Sequence, residues 1–308
     1  MSKKLVQLRT FLTTRGKGIS LLLTMVVGIF VPQAHVYSFL IQHLLMVMLF
    51  FAFLDINLKP RPSQKGVFWI LLANLSIAFV VYALLAPIDL QLALAGFLTA
   101  ISPTAISSPV IVGFVEGDME FIIASVILTN ITVALVVPLT LPSLMGTAVQ
   151  ISIIDVLRSV AIVMFVPLLL SQAVKKLPAA GQNFLRKGKS LSMPLWLITL
   201  FIVSAKASDF LRNENTAPLT TLGMIALISL GICVIDFGVG VWLGRPDHWR
   251  ESGQALGQKN LSFTIWVALT FVNPLVAMGP MFYIIYHHIY NSWLIYDYEK
   301  TRPSAINA

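Results

Sequence analysis

The feature that most constrains this chain is a succession of long apolar stretches joined by short polar connections. A helix that spans a bilayer needs about 20 mainly apolar residues. Ten such stretches follow one another, at residues 18–34, 36–58, 66–86, 90–115, 119–145, 151–174, 190–211, 217–244, 251–272 and 275–296. Charged residues make up 11% of the chain, against about 25% in soluble domains. We therefore predict an all-α polytopic membrane protein in which residues 1–308 form one transmembrane unit.

The basic residues concentrate in every second connection. With the N-terminus inside, 17 of the 21 lysines and arginines lie in the inner connections. These are Lys3, Lys4, Arg9, Arg15, Lys17, Lys59, Arg61, Lys65, Lys175, Lys176, Arg186, Lys187, Lys189, Arg245, Arg250, Lys300 and Arg302. Because basic loops stay cytoplasmic, we expect a multi-pass cell-membrane protein, as in a bacterial inner membrane, with both termini cytoplasmic. The net charge of +8 then faces anionic lipid rather than nucleic acid.

Two of the apolar segments are interrupted by polar residues at bilayer depth. The fourth contains Ser102-Pro103-Thr104 and Ser107-Ser108-Pro109, and the ninth contains Gly257-Gln258-Lys259-Asn260. Pro103 disfavours helix at the preceding residue and suits the first turn of a new helix. We therefore predict two broken helices whose freed backbone groups and polar side chains form a site. The alternative for the fourth segment is a proline-kinked helix with serines that pack between helices.

The two interruptions occupy corresponding places in the chain. Ten segments divide into a first repeat, residues 18–145, and a second repeat, residues 151–296, each of five segments. An odd number of crossings inverts the second repeat relative to the first. Interrupted segments in matching positions of two halves indicate the binding site of a transporter. The candidate site residues are Thr104, Ser107, Ser108, Asp236, Gln258, Lys259 and Asn260.

Lys259 is the most costly residue of these segments. A lysine at the bilayer centre costs roughly 2.5–3.5 kcal/mol on insertion scales. Asp236 lies at a similar depth on the preceding segment, so we predict an Asp236–Lys259 ion pair. The alternative is a pair that only holds two helices together. Ser125, Thr129 and Asn130 fall at helical spacing on the fifth segment. Ser125 and Thr129 share a face that suits either a cavity or packing, and Asn74 is similarly ambiguous. His287 and His288 are assigned to packing or to the membrane interface, because Tyr283 and other aromatic residues lie nearby.

Three short motifs resemble the bile acid:sodium symporter family. Leu58-Lys59-Pro60 is similar to the LKP that closes that family's second helix. The run from Pro103-Thr104 to Gly117-Asp118 is similar to its first crossing helix, and Gly257-Gln258-Lys259-Asn260 to its second. The resemblance implies ten helices, a panel domain, a core domain that contains the crossing, and organic anions moved together with sodium.

The sequence departs from that family at the sodium site. Ala255 stands where the family has a glutamate, Lys259 where it has a glutamine, and Ser108-Pro109 where it has Ser-Asn. By this comparison only Ser108 remains as a sodium ligand. We hypothesise that Lys259 replaces sodium as a built-in cation, so that coupling is either to protons, through Lys259 and Asp236, or absent.

These observations favour secondary transport of a small organic anion by alternating access, without a cofactor. A bile-acid-like substrate or another carboxylate or sulfonate fits the resemblance. The main alternative is an efflux carrier of the arsenite or auxin type with the same fold. An intramembrane enzyme is disfavoured because no nucleophile and base pair, no HExxH and no Walker A motif occurs in the sequence. A sensor is disfavoured because the connections leave no room for a signalling domain.

Overall fold

The computed structural model describes residue 20 and residues 22–54, 65–146, 152–213 and 219–301. Helices dominate this part of the chain, and no strand occurs in it. Leu58-Lys59-Pro60 lies outside the described residues, as do the basic residues at positions 3–17, 59, 61 and 302.

The helices follow the apolar segments along the chain. They are α1 (residues 22–30), α2 (Leu40–Phe53, preceded by a 3-10 helix Pro32–Phe39), α3 (Lys65–Leu85), α4 (Leu90–Ile101), α5 (Ser108–Phe114), α6 (Met119–Leu144), α7 (Ile153–Val174), α8 (Ala179–Lys187), α9 (Ser192–Asn213), α10 (Leu219–Leu243), α11 (Trp249–Gly257), α12 (Leu261–Phe271) and α13 (Pro274–Thr301). Every predicted segment contains a helix or a broken helix. The short α8, which ends in Arg186 and Lys187, was not predicted.

The exposed surface of these helices identifies the solvent they face. Six helical stretches among the described residues are long and apolar enough to cross a membrane, and α4 and α12 are shorter apolar helices. Large apolar side chains point outward along the long helices, for example Leu84, Leu227 and Trp242. Outward apolar side chains on so many helices would be unfavourable in water and are favourable in lipid. The chain is a multi-pass membrane protein built from helices.

The helices pack into two groups. In one, α2 contacts α7 and α9, and α9 contacts the 3-10 helix before α2. In the other, α4 is surrounded by α3, α10 and α13, and α11 packs on α10. The buried centre of the second group is α4, of which every residue from Leu92 to Ile101 is buried. The two interrupted segments therefore lie inside this second group.

The predicted breaks are present, with one correction. The fourth segment is interrupted between Ile101 and Ser108, and the ninth between Gly257 and Leu261. The new helix α5 begins at Ser108, with Pro109 in its first turn, and not at Pro103 as expected. Pro103 lies outside any helix, and its carbonyl accepts a hydrogen bond from Asn260 N at 2.7 Å, across the break. A helix that began at Pro103 would lose this bond.

Connections that were predicted to share a side of the membrane lie together. At one end, Tyr298 donates to Glu116, and His248 lies 3.9 Å from Asp118. At the opposite end, Asn273 donates to Gln91 at 2.7 Å. This arrangement agrees with the alternating direction of the predicted segments.

Candidate functional site

The centre of the site is a short antiparallel contact between the two broken helices. Thr104 and Lys259 form an isolated β-bridge. Ala105 N donates to Gln258 O at 2.7 Å, and Asn260 N donates to Pro103 O at the same distance. Buried backbone groups that leave a helix must find partners elsewhere. Here each interrupted segment supplies partners for the other.

Helix α6 completes the hydrogen bonding of the first break. Thr129 Oγ1 accepts from Thr104 N at 3.1 Å, and Asn130 Nδ2 donates to Thr104 O at 2.9 Å. The Thr104 hydroxyl donates to Ala255 O in the second broken helix. Thr104 is therefore held from three directions, and its position is fixed by α6 and α11 together. The sequence left Thr129 undecided between cavity and packing, and Asn130 was not selected.

The Lys259 ammonium lies in a shell of three oxygens. Its Nζ donates to Asn74 Oδ1 and to Ala100 O, both at 2.6 Å, and lies 3.2 Å from Asp236 Oδ2. The side chains of Lys259 and Asp236 are both fully buried. An ammonium has three donors, so these oxygens use its full capacity. The Asp236–Lys259 contact predicted from the sequence is present.

Two features of this shell come from parts of the chain that the sequence did not connect to Lys259. Ala100 lies in the last turn of α4, where carbonyls lack partners within the helix and a cation is favourable. Asn74 lies on α3, and its Nδ2 donates to Ile101 O at 3.2 Å. Asn74 thus links the end of α4 to the ammonium. In the sequence, the only sign of this role was that Asn74 is a polar residue in the middle of the apolar helix α3.

Tyr283 was given no role from the sequence, and the structure places it against the ion pair. Its side chain is fully buried, and its hydroxyl lies 2.7 Å from Gly257 O and 3.1 Å from Asp236 Oδ2. A phenol has one proton, so these two oxygens compete for the same donor. Tyr283 therefore ties α13 to both the break in the ninth segment and the carboxylate of α10.

The remaining predicted site residues surround the same crossing. Gln258 Nε2 donates to Ser107 Oγ at 3.1 Å, and the Ser108 hydroxyl lies 3.5 Å from Gln258 O. Gln258 Oε1 and Asn260 Nδ2 are buried atoms without a hydrogen-bond partner. The structure thus brings all seven predicted residues to one place.

An apolar cleft lies beside the crossing, between α2, α6 and α7. It is narrow, with a cavity volume of about 20 Å³, and its lining side chains include Phe53, Ile127 and Met164. Asn130 also lines the cleft, and its buried Oδ1 has no hydrogen-bond partner. Ligand sites are commonly apolar pockets with a few polar groups. Asn130 therefore connects this cleft directly to Thr104 at the crossing.

No protein-family model matches the chain, and no curated protein matches its sequence. The fold and the site define its class as a helical multi-pass membrane protein. Within that class, its distinguishing feature is a pair of broken helices that cross at a buried lysine–aspartate pair.

Proposed function

We propose that this chain is a secondary transporter that moves a small organic anion across the cell membrane by alternating access, with Lys259 in place of a sodium ion. The proposal extends the resemblance to the bile acid:sodium symporter family. The observation that carries it is the oxygen shell around the Lys259 ammonium at the crossing of two broken helices.

The shell contains an amide oxygen from Asn74, a backbone carbonyl oxygen from Ala100 and a carboxylate oxygen from Asp236. Oxygens of these three kinds also bind hard metal cations in proteins. The ammonium therefore occupies a position that suits a cation, and it is attached to the chain. Transport is then independent of sodium, and protons that exchange at Lys259 and Asp236 are the coupling ions.

The order of the helices supports two inverted repeats. Helix α3 begins at Lys65 and α10 at Leu219, while α6 begins at Met119 and α13 at Pro274. Both pairs are separated by nearly the same length of chain, and the broken helices lie between them in each half. Inverted repeats with broken helices at their interface are typical of secondary transporters. We infer ten crossings, in repeats 18–145 and 151–296, with both termini cytoplasmic.

The cleft beside the crossing supplies the proposed substrate site. Its walls are apolar and suit the hydrocarbon part of an organic anion, and the cleft must widen to admit one. Helix α12 begins at Leu261, directly after the crossing, and helix N-termini favour negative charge. Since α2 and α7 form one wall and α6 the other, a relative movement of the two helix groups would open the cleft to alternate sides.

Uptake by proteoliposomes tests the proposal. We expect the purified chain to accumulate at least one of taurocholate, benzoate or pyruvate when sodium is replaced by choline, and a pH gradient to change the rate. Lys259→Gln should abolish the effect of the pH gradient, because it removes the group that exchanges the proton. Lys300→Gln, at the exposed end of α13, is the control for loss of one positive charge.

Strict dependence of uptake on sodium would contradict the role given to Lys259. Export of arsenite or of indole acetate in the same vesicles, without uptake of the three organic anions, would instead favour the efflux carriers named above.

A further inference from the structure

A stripe of buried polar side chains leads away from the ion pair along α13. Tyr283, His287 and Asn291 are spaced by four residues, so they lie on one face of the helix. Their exposed fractions are 0%, 4% and 3%. The Tyr283 hydroxyl contacts Asp236, the ring of His287 packs edge-on against that of Tyr283, and Asn291 accepts from Gln254 Nε2 at 2.9 Å. The stripe therefore begins at the ion pair and ends between α13 and α11.

Several polar atoms of this stripe, and one of the neighbouring Gln254 on α11, have no hydrogen-bond partner. Both ring nitrogens of His287 are unpartnered, as are Asn291 Nδ2 and Gln254 Oε1. Most buried polar groups in proteins are hydrogen-bonded, and each exception calls for an explanation. Packing alone would be served better by an apolar residue at position 287, because an unpaired polar atom costs about 1–3 kcal/mol. The stripe is therefore suited to a role that needs exchangeable groups.

We propose that Tyr283, His287 and Asn291, with Gln254, form a proton path between the Lys259–Asp236 pair and the end of the molecule where α11 begins. The inference rests on the proposed function in one respect, namely that the pair gains and loses protons during transport. Glu251 lies in the first turn of α11, and Gln254 follows it one helical turn later. The proposed path therefore leads toward the end of the molecule where α11 begins.

Among the hydrogen-bond partners of the ion pair, which are Asn74, Ala100 and Tyr283, only Tyr283 has a titratable side chain. Ala100 contributes a backbone carbonyl, and the amide of Asn74 ends at the carbonyl of Ile101. Neither leads to a further titratable group among the described residues. The Tyr283 hydroxyl contacts the carboxylate of the pair, and its ring packs against the ring of His287, so the path continues along α13.

Each transfer can be balanced atom by atom. The hydroxyl proton of Tyr283 moves to Asp236 Oδ2. No hydrogen bond joins His287 to the Tyr283 oxygen in this structure, so the ring of His287 must turn before one of its N–H groups replaces that proton. The other ring nitrogen takes up a proton from the side of Asn291 and Gln254, where a donor and an acceptor together suit a bridging water molecule. Because no hydrogen bond holds either ring nitrogen, His287 can reach both tautomers. Release of a proton follows the same steps in reverse.

Titratable groups near His287 are few. On α13 they are Tyr283, Tyr286, His288 and Tyr290, on α10 Cys233 and Asp236, on α11 Glu251, and after α11 Lys259. Helices α4, α5 and α12 contain no titratable side chain. On α9, Lys206, Asp209 and Arg212 lie about 15 Å or more along the helix from Trp196, which contacts His288.

Nitrogen NMR of histidine-labelled full-length protein in nanodiscs tests the link between His287 and the pair without any substrate. The chain has five histidines, and His287→Gln identifies the signal of His287. We expect that signal to show both tautomers and to shift when Asp236→Asn and Lys259→Gln are combined, while the signals of His35 and His43 stay unchanged. A single tautomer at all pH values, unaffected by the double substitution, would overturn the proposal.

A second measurement follows the proton itself. After a rapid pH jump, a soluble pH dye reports the protons that the protein takes up. The fraction of this uptake that is lost when Asp236→Asn and Lys259→Gln are combined is assigned to the ion pair. Tyr283→Phe keeps the ring and should slow this part by about 100-fold, the lower end of the contribution of a positioned proton-transfer group. Tyr286→Phe, on the same helix outside the stripe, should leave it unchanged. Equal rates in both variants would refute the path.

The two proposals fail in different experiments. A chain that moves no anion in proteoliposomes but shows the Tyr283-dependent proton uptake would keep the path and lose the transporter. Anion uptake with a pH response that is unaffected by Tyr283→Phe would keep the transporter and lose the path.

Discussion

Lys259 and Asp236 carry opposite charges, and both are completely enclosed by protein. The oxygens of Asn74 and Ala100 compensate the ammonium for the hydration it loses, and the Tyr283 hydroxyl does the same for the carboxylate. Removing one partner of such a pair leaves a buried charge, which is much more costly than removing both. This asymmetry gives a test of the site that does not depend on any substrate.

We expect Asp236→Asn to lower the free energy of unfolding by about 3–5 kcal/mol, because the Lys259 ammonium then lacks its counter-charge. Combining Asp236→Asn with Lys259→Gln should recover much of that loss. Thermal unfolding of the purified variants in detergent measures both effects. Asp155→Asn, at an exposed position in the first turn of α7, should cost no more than about 1 kcal/mol. A double variant less stable than Asp236→Asn alone would contradict this reading.

A second prediction concerns Lys259→Ala, which should convert the oxygen shell into a binding site for a free cation. The substitution removes the ammonium and leaves the oxygens of Asn74, Ala100 and Asp236 in place. If this shell suits a cation, sodium should raise the melting temperature of Lys259→Ala by binding the folded state, and should leave that of the native chain unchanged. Potassium at equal ionic strength is the control. The sodium response should vanish when Asp236→Asn is added, and a response equal for both salts would count against the shell as a cation site.

At the scale of elements, the position of Lys259 depends on how closely α11 approaches α10. A Cβ atom on Gly240 of α10 would meet backbone atoms of Ser252 and Gly253, and one on Gly257 would meet the ring of Phe237. Glycines therefore let the backbones come together. This contact holds the carboxylate of α10 within reach of the lysine that follows α11.

Gly240→Ala should separate these two helices and destabilise the fold by roughly 1–3 kcal/mol, as overpacking usually does. It should also weaken the Asp236–Lys259 contact. Gly238→Ala lies on the same helix and meets nothing within 4 Å, so it should be neutral or slightly stabilising by helix propensity. Thermal unfolding of the two variants compares them directly, and equal melting temperatures would show that the close approach is unimportant.

The crossing itself shows how two elements can depend on each other. Residues 102–107 form no regular helix, and residues 258–260 interrupt the second segment. Each break would leave polar backbone groups unpaired at bilayer depth, where that is especially costly. Their mutual hydrogen bonds, with help from Thr129 and Asn130, make the two irregular stretches stable only as a pair.

At the scale of the whole molecule, the direction of the chain can be tested by labelling. With Cys233, which is buried, replaced by alanine, a cysteine at Ile88 should react with an impermeant maleimide on intact cells. A cysteine at Asp247 should react only in inverted vesicles, because the positive-inside rule predicts a cytoplasmic location for that connection. Labelling of both positions from the same side would contradict the alternating direction of the segments.

Much of the architecture was predictable because its causes are local. Apolar runs of sufficient length become helices in a bilayer, and prolines, glycines and polar residues within them mark the breaks. The breaks near Thr104 and Lys259, and the contact between Lys259 and Asp236, could be anticipated in this way. The start of α5 could not, because the carbonyl of Pro103 is hydrogen-bonded to Asn260, a residue of the other broken helix.

What the sequence alone determined is the set of membrane-length helices and the presence of a charged pair that must be buried together. The tertiary structure decided which oxygens surround that pair. Asn74 and Tyr283 are far from Lys259 in the chain, and the carbonyl of Ala100 has no side-chain signature at all. Apolar burial is governed by composition along each segment, whereas hydrogen-bond partners are selected by which helix faces meet. Only the packing of α3, α4, α10 and α13 around the crossing selects them.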